Sequence, residues 1–448
     1  MKFTIKTIGC KVNTYESNKI KDELISLGFT FIDVNEKDSY KDLDYYIINT
    51  CSVTALADKK SRQMIHSARA KNSKMKIIAT GCSISKVLKD KGKIDGVDIE
   101  ISNEEKDDLV KIIINDINNR VFAKAKKENC ENYYTEHLYN RLIRSDNNIL
   151  RNKVGNYEEL IRAFIKIEDG CDEYCTYCII PYLRGHVKSR DDNEIIEDVK
   201  EHLKNGVKEI VLTGIHLSSF GLDREKIMYE NKNAILKARY NLITLINKIA
   251  DLSNDKEFDL KRLRLGSLEP RIIDEDFIER LSLKPISNIF CSSFCLSLQS
   301  GSNKILKLMN RHYTIEDFEY AVKIIKKYFP TSLITTDIIV GFPGETEDDY
   351  NETVDFVKKM RFYNPNIFPY SRREGTVANN MENQLTNKIK HDRSIKLINI
   401  CNQINREIEE EYNKIPHEVL VEEKVYEKGK VYEVGYTKEY VKIKKLVT

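Results

Sequence analysis

Tryptophan is absent from the 448 residues, and no function attaches to that absence. No stretch approaches the roughly 18 apolar residues that a membrane-spanning helix needs, so no membrane association is expected. The N-terminus, MKFTIKTIGCKVN, lacks a basic stretch followed by an apolar core, so no signal peptide is read there. Neither sign of charge dominates: 73 Lys and Arg stand against 70 Asp and Glu, a net charge of +3. That balance admits a nucleic-acid partner without demanding one. A chain this long has material for two or three domains, each with its own core.

What the chain does have is cysteine. Ten cysteines in a long chain without export signals point to a reducing, cytoplasmic setting. There they serve as metal ligands or free thiols more often than as disulfides. Cys171, Cys175 and Cys178 lie in GCDEYCTYC with C-x3-C-x2-C spacing. At this cysteine content, that spacing arises by chance roughly 0.005 times per chain. Three thiolates on one loop can hold three irons of a four-iron cluster and leave the fourth open. The usual electron-transfer cluster has all four irons tied to cysteine and no open site. A zinc site built from the same thiolates is the simplest rival.

The first hundred residues alternate strand and helix. Phe3–Ile8, Tyr45–Ile48 and Lys76–Ala79 read as strands, and Tyr15–Leu27 and Ala55–Arg69 as helices. Such alternation implies a parallel sheet. Cys10, Cys51 and Cys82 each follow the C-terminal end of a predicted strand. In an open parallel sheet those ends share one edge, where ligands bind. The competing reading is three small buried hydrophobes. Residues 115–156 are rich in Asn, Lys and Glu and read as a linker with some helix. Cys130 lies there without a partner pattern and reads as a free thiol.

From Arg162 onward six strand-then-polar-loop units follow, beginning with Phe164–Ile167, which leads into the cysteine loop. The others are Glu209–Leu212, Arg262–Leu265, Leu296–Leu298, Thr335–Val340 and Asn366–Pro369. Six such units suggest an α/β barrel or part of one, with function at the C-terminal strand ends. Thr213-Gly214, Ser267, Glu269, Gln299 and Gly341 stand at those ends. Turn chemistry or helix capping explains each of them equally well. Residues 222–240 read as a charged surface insertion. A long polar helix, Gln384–Tyr412, precedes three short strands with turns at Gly429 and Gly435. Lysines 438, 442, 444 and 445 with Tyr436 and Tyr440 between them suit RNA. An ordinary solvated surface is the alternative.

The cysteine loop, with Tyr177 before its last cysteine, resembles that of the radical S-adenosylmethionine (SAM) enzymes. The triad Cys10, Cys51 and Cys82, the flank DGCDEYCTYCIIPYLRG and the segment FPYSRREGTVA (Phe368–Ala378) resemble the methylthiotransferase branch. IGCKVNTYE around Cys10 is most similar to the members acting on N6-threonylcarbamoyladenosine in tRNA. In two places the chain departs from the pattern. Ser293 and Cys295 replace two histidines usual before LQSG, so that Cys291 and Cys295 form a second C-x3-C, read as buried strand. The C-terminal module, similar to the RNA-binding TRAM domain, ends early.

The resemblance implies an N-terminal open parallel α/β domain (1–114), the linker (115–156), a partial (β/α)6 radical SAM core (157–383), and a helix plus TRAM-like module (384–448). It implies two [4Fe-4S] clusters, one on Cys171, Cys175 and Cys178, the other on Cys10, Cys51 and Cys82. SAM would sit on the free iron of the first, near Thr213, Gly214, Ser267, Glu269, Gln299 and Gly341. One-electron reduction would then yield methionine and a 5′-deoxyadenosyl radical. The auxiliary cluster would carry a sulfur that is methylated and transferred to C2 of the modified adenine. Arg184 and Arg373 would bind phosphate or the threonyl carboxylate, or else form structural salt bridges. The implied partners are a tRNA anticodon stem-loop, a low-potential electron donor and a sulfur source. Rival substrates are isopentenyladenosine in tRNA and a ribosomal-protein aspartate. A rival of another class is a non-catalytic iron–sulfur protein that binds RNA.

Overall fold

The computed structural model describes residues 1–34, 40–128, 161–225, 232–427 and 429–447. The chain divides into two compact units, Met1–Tyr157 with Tyr182–Arg184, and Glu158–Pro181 with Gly185–Thr448.

In the first unit β1 (Lys2–Thr7), α1 (Lys11–Ser26), β2 (Thr30–Phe31), β3 (Tyr45–Thr50), α2 (Ala55–Lys71), β4 (Lys76–Gly81), α3 (Cys82–Lys89), β5 (Ile99–Ile101) and α4 (Leu109–Glu128) follow in turn. The strands form one parallel sheet in the order β2-β1-β3-β4-β5. β3 is buried along its whole length, as expected of a continuous apolar strand covered on both faces. Tyr46, Ile48, Ile65, Ile77 and Ala79 pack on one face. Phe3, Leu24, Tyr45, Ile47, Ile78 and Ile113 pack on the other. Helix α4 supplies the helical part expected of residues 115–156: it continues past residue 115, with Ile113 and Ile117 buried in that second core. Cys130 and the rest of residues 129–156 lie outside the described residues.

The second unit opens with β6 (Arg162–Lys166) and the short β7 (Glu168–Asp169), and the chain passes through α5 (Ile180–Arg184) to β8 (Lys188–Ser189). It continues with α6 (Asp192–Lys204), β9 (Glu209–Thr213), α7 (Lys232–Asp251), β10 (Arg262–Leu265), β11 (Ser267–Leu268), α8 (Glu275–Ser282), α9 (Ile286–Ile289) and β12 (Ser293–Gln299). Then come α10 (Asn303–Leu308), α11 (Ile315–Tyr328), β13 (Leu333–Val340), α12 (Glu347–Met360), β14 (Asn366–Pro369) and α13 (Asn387–Tyr412). β6, β9 and β10 are parallel neighbours, and β11, one residue beyond β10, continues the parallel run through β12, β13 and β14. This is the expected partial (β/α)6 barrel. Thr314 and Thr346 start α11 and α12 with reciprocal capping boxes to Asp317 and Asp349, each satisfying two otherwise orphaned N–H groups.

Along β12, Phe294, Leu296 and Leu298 pack into the helix-facing core. Ser293, Cys295 and Ser297 alternate with them onto the barrel's inner face, as the two-residue period of a strand requires. The register sets Ser267 beside Cys295 and Thr335, and Ser297 beside Asp337 and Asn366. Cys295 therefore faces inward, whereas Cys291 is fully buried, and burial pushes its thiol up to about 12. Residues 222–240 are not a surface insertion throughout. Residues 232–240 begin α7, and Ala234 and Ala238 are fully buried despite the charges around them.

The C-terminal strands β15 (Leu420–Glu427), β16 (Lys430–Tyr436) and β17 (Lys442–Val447) form an antiparallel sheet. Tyr436 and Tyr440, read as a platform for RNA, are engaged by the barrel instead. Tyr436 and Tyr440 stack on each other at 4.6 Å, and Arg264 lies 3.8 Å from the Tyr440 ring centroid. Arg262, fully buried, donates to the Tyr436 and Glu418 carbonyls at 2.6 and 3.2 Å. Arg162 binds Glu209 at 2.7 Å and also pairs with Glu422. The module is thus fastened to the N-terminal starts of β6, β9 and β10. Lys442 and Lys444 face Glu423 and Glu427 at 4.0 and 2.5 Å, so the basic character read from sequence is partly cancelled.

Candidate functional site

The structure contains two cysteine constellations, one in each unit. In the first, β1, β3 and β4 are adjacent, about 4.8 Å apart. Cys10 caps α1 immediately after β1, Cys51 follows β3, and Cys82 opens α3 immediately after β4. Two glycines press these strand ends together. A Cβ on Gly9 would lie 2.8 Å from the Cys51 Cβ, and one on Gly81 would lie 2.2 Å from the Thr50 carbonyl oxygen. Both have positive φ, 120° and 99°, which a side chain would strain. Asn13 Nδ2 donates to the Ile8 and Thr50 carbonyls at 2.8 and 3.1 Å, tying β1 to β3. Thr50 Oγ1 donates to the Thr80 carbonyl at 2.6 Å, tying β3 to β4.

Cys10 and Cys82 sit at helix N-termini. The Val53 N–H points at Cys51 Sγ at 3.4 Å, and Asn103 Nδ2 at Cys82 Sγ at 3.6 Å. Glu16 is buried between two cations, Lys106 Nζ at 2.6 Å and Arg184 Nη1 at 3.0 Å. Arg184 also donates to Asn13 Oδ1 at 2.8 Å. Of the two roles open to Arg184, the structure shows the buried salt bridge. Three thiols at one sheet edge, with N–H donors and a net positive surround, suit an iron–sulfur cluster ligated by three cysteines.

In the second unit the loop after β6 carries Cys171, Cys175 and Cys178. Gly170 (φ 77°) lets it pass under α5's far end, since a Cβ there would lie 1.9 Å from the His186 carbonyl oxygen. Cys171 N–H donates to the Gly185 carbonyl at 3.1 Å, and Cys178 N–H to the Cys175 carbonyl at 2.9 Å. Two distant segments clamp the loop. Thr176 donates through N–H and Oγ1 to the Met309 and Leu308 carbonyls at 3.1 and 2.9 Å, and Asn310 Nδ2 donates to the Glu173 and Tyr174 carbonyls. Ala378, in the FPYSRREGTVA segment, donates its N–H to the Thr176 carbonyl at 2.8 Å. Arg373 in that segment accepts from the Thr376 N–H and hydroxyl through its carbonyl.

Burial pushes the Cys171 thiol well up, and the nearby Cys175 and Cys178 add to that. A bound metal would hold three such cysteines together as thiolates. Arg311 Nη1 donates to Cys175 Sγ at 3.0 Å. Next to the loop, Glu173, His216 and Glu269 present ligand-type atoms within 4.8 Å of one another. Arg271 occupies that gap, bonding Glu269 at 2.5 and 3.0 Å and Glu173 at 3.3 Å. Burial and the neighbouring Glu269 push Glu173 up to about 7. Burial would raise Glu269 too, but Arg271 and Arg311 outweigh it and hold that carboxyl low. Burial holds His216 down at about 4, with Arg311 and Arg271 adding to it against the pull of Glu269.

The strand-end residues read as SAM contacts have mixed surroundings. Ser267 faces the interior and shares a hydrogen bond with Ser297 at 2.9 Å. Glu269 is bound to Arg271 as above. Thr213 is buried, and its carbonyl accepts from the Ile167 N–H at 2.9 Å. Gly214 is needed for close packing, since a Cβ there would lie 1.9 Å from Glu168 Oε1. Gly341 packs likewise, with Lys390 Cγ 2.3 Å from where its Cβ would be. Gln299 turns the end of β12 with φ 70°. Sequence reading missed Asn310, Arg311 and Arg271. They come from distant loops with no spacing pattern, so only the fold brings them to the cysteines.

Known proteins agree with this geometry. A family model described as the radical SAM superfamily matches residues 165–357, and one described as uncharacterized protein family UPF0004 matches residues 2–99. A Bacillus subtilis protein named threonylcarbamoyladenosine tRNA methylthiotransferase MtaB is 34% identical over 98% of this chain and 88% of its own. A Thermoanaerobacter protein named tRNA-2-methylthio-N(6)-dimethylallyladenosine synthase is 31% identical over 94% of this chain and 82% of its own. Among solved structures, the radical SAM methyltransferase TsrM of Kitasatospora setae, with cobalamin and a [4Fe-4S] cluster bound, aligns with a TM-score of 0.54. It is 16% identical, over 84% of this chain and 77% of that one, and so supports the fold alone.

Proposed function

The chain belongs to the radical SAM methylthiotransferase family, and from that premise we propose that it is a tRNA methylthiotransferase acting on N6-threonylcarbamoyladenosine beside the anticodon, at position 37. The observation that carries this reading is the presence of two three-cysteine constellations in one chain, each at the C-terminal ends of parallel strands. The IGCKVNTYE flank and the B. subtilis relative favour the threonylcarbamoyl substrate. The product is 2-methylthio-N6-threonylcarbamoyladenosine.

Cys171, Cys175 and Cys178 would hold one [4Fe-4S] cluster, which also binds SAM, and Cys10, Cys51 and Cys82 the other. When bound, these groups supply one-electron cleavage of SAM, hydrogen abstraction from an unactivated C–H bond, and a sulfur for transfer. The chain's own residues supply placement. Gly170 and the Asn310 clamp hold the cysteine loop. Arg271 keeps the Glu173 and Glu269 carboxylates paired beside it, and His216, neutral at pH 7, adds no charge. The apolar layer of Ile305, Met309, Phe342, Tyr370 and Ala378, with Tyr177 against it, keeps water from the back of the loop. Ser267, Gln299 and the inner-face row Ser297, Asp337 and Asn366 offer polar contacts for the adenosyl and nucleoside moieties.

We assign residues 1–114 to the auxiliary-cluster domain, 115–156 to the linker, 157–383 to the radical core and 384–448 to the helix and terminal module. A low-potential electron donor, a sulfur source and a cytoplasmic setting complete the reading. No helix among the described residues is long and apolar enough to cross a membrane. Mass spectrometry of tRNA nucleosides from a deletion strain tests the substrate. Loss of the methylthio group from threonylcarbamoyladenosine is expected. If that nucleoside is unchanged and methylthio-isopentenyladenosine disappears, the related substrate is correct instead.

A further inference from the structure

Arg311 Nη1 donates to Cys175 Sγ, in the radical-generating loop, at 3.0 Å. It lies 136 positions along the chain from Cys175, beyond β12. Its direction is fixed. Nε donates to the Tyr313 hydroxyl at 3.0 Å, and that hydroxyl donates onward to the Ser297 and Leu298 carbonyls at 2.6 and 3.1 Å. The backbone before it is fixed as well, because Asn310 and Met309 bond the same cysteine loop. An anchored strand, a phenol and a guanidinium thus form a rigid arm ending on one sulfur.

We propose that Arg311 is a positioning residue of the radical centre that raises the reduction potential of the cluster held by Cys171, Cys175 and Cys178. This rests on the cluster assignment made above. Reduction adds one electron, supplied by an external low-potential donor, and makes the cluster more negative. A fixed positive charge and an N–H donor on a ligand sulfur stabilise the more negative state. The loop is backed by apolar side chains and flanked by Glu173 and Glu269, surroundings that disfavour added negative charge. Arg311 offsets them at the one sulfur it touches. A purely structural arginine would affect folding and leave the potential where it was.

The test uses the full chain carrying Cys10→Ala, Cys51→Ala and Cys82→Ala, so that only one cluster gives a signal. It is reconstituted anaerobically and titrated with dithionite under electron paramagnetic resonance. Arg311→Met is expected to keep its iron and sulfide and to shift its g values. Its reduced-to-oxidised ratio at a fixed potential should fall at least tenfold, equivalent to 59 mV for one electron. Arg311→Lys, which keeps the charge but not the fork, should fall between the two. An unchanged midpoint and unchanged g values in an iron-loaded Arg311→Met protein overturn the inference and leave the function reading intact. If Arg311→Met does not fold, Arg311→Lys and Tyr313→Phe decide, and unchanged potentials in both overturn it. A parent that binds no iron at these cysteines sinks this inference and the cluster assignment together.

Discussion

Replacing Glu209 with Gln removes a buried negative charge at the base of the barrel, where Arg162 and Arg264 meet. Glu209 is fully buried. It accepts from Arg162 Nε at 2.7 Å and from Arg264 Nε at 3.3 Å, and Arg262 is buried close by on the same strand as Arg264. The amide keeps the shape but leaves Arg162 and Arg264 without their shared counter-charge. Breaking a buried pair from one side costs about 3–5 kcal/mol. The second unit holds about 290 residues, and its unfolding entropy near the midpoint is on the order of 0.6 kcal/mol/K. The expected drop in Tm is therefore roughly 5–8 °C. Arg162 also pairs with Glu422, so the terminal module should loosen first and be clipped earlier by protease near residues 413–420. Scanning calorimetry of wild type and Glu209→Gln at pH 7, with timed proteolysis, measures both. A variant melting within about 1 °C of wild type, with the same cleavage time course, would refute the claim that this carboxylate fastens the module.

Cys10→Ala should keep SAM cleavage, measured as 5′-deoxyadenosine, and lose methylthio insertion. Loss of both in a cluster-loaded protein contradicts the division of labour between the two cysteine sets. Gly170→Ala should lower iron on the Cys171 loop by more than half, because its Cβ would meet the His186 carbonyl oxygen at 1.9 Å; normal iron content would show that the loop has another path. Glu173 has a pKa raised above its unfolded value, to about 7. Its contribution to stability is present below about 4.5 and is lost as pH rises through about 7. The metal-free protein should therefore melt lower at pH 8 than at pH 6, and Glu173→Gln should flatten that difference. Equal slopes in the two proteins would be the failing result.

Much of the scaffold could be read in advance because it is local. The runs Tyr45–Ile48 and Thr335–Val340 declare themselves through continuous or β-branched apolar character. Cys10, Cys51 and Cys82 revealed their shared edge through their offsets from those strands. What escaped reading was set by distant partners. Residues 232–240 look too charged for a core, yet Ala234 and Ala238 continue the buried face that Leu242, Leu245, Ile246 and Ile249 form further along the same helix. Tyr436 and Tyr440 look like a platform for bases until Arg162 and Arg264, far away in sequence, take up their rings. Gly214 and Gly341 stand where a cofactor loop is expected, and only the fold shows that Glu168 and Lys390 also crowd them, with Gly341 at φ 73° besides. Arg311 has no spacing signal at all, because its partner Cys175 belongs to another βα unit.

The terminal module grips the first residues of β6, β9 and β10, whereas the cysteine loop leaves from the last residue of β6. A five-residue strand spans about 17 Å. The terminal module and the chemistry therefore sit at opposite ends of a fixed measuring rod. A ligand that engages both must be at least that long. A free nucleoside can occupy only the chemical end, and a folded stem-loop can reach both. The barrel's strand length is thus the shortest span over which one ligand touches both ends.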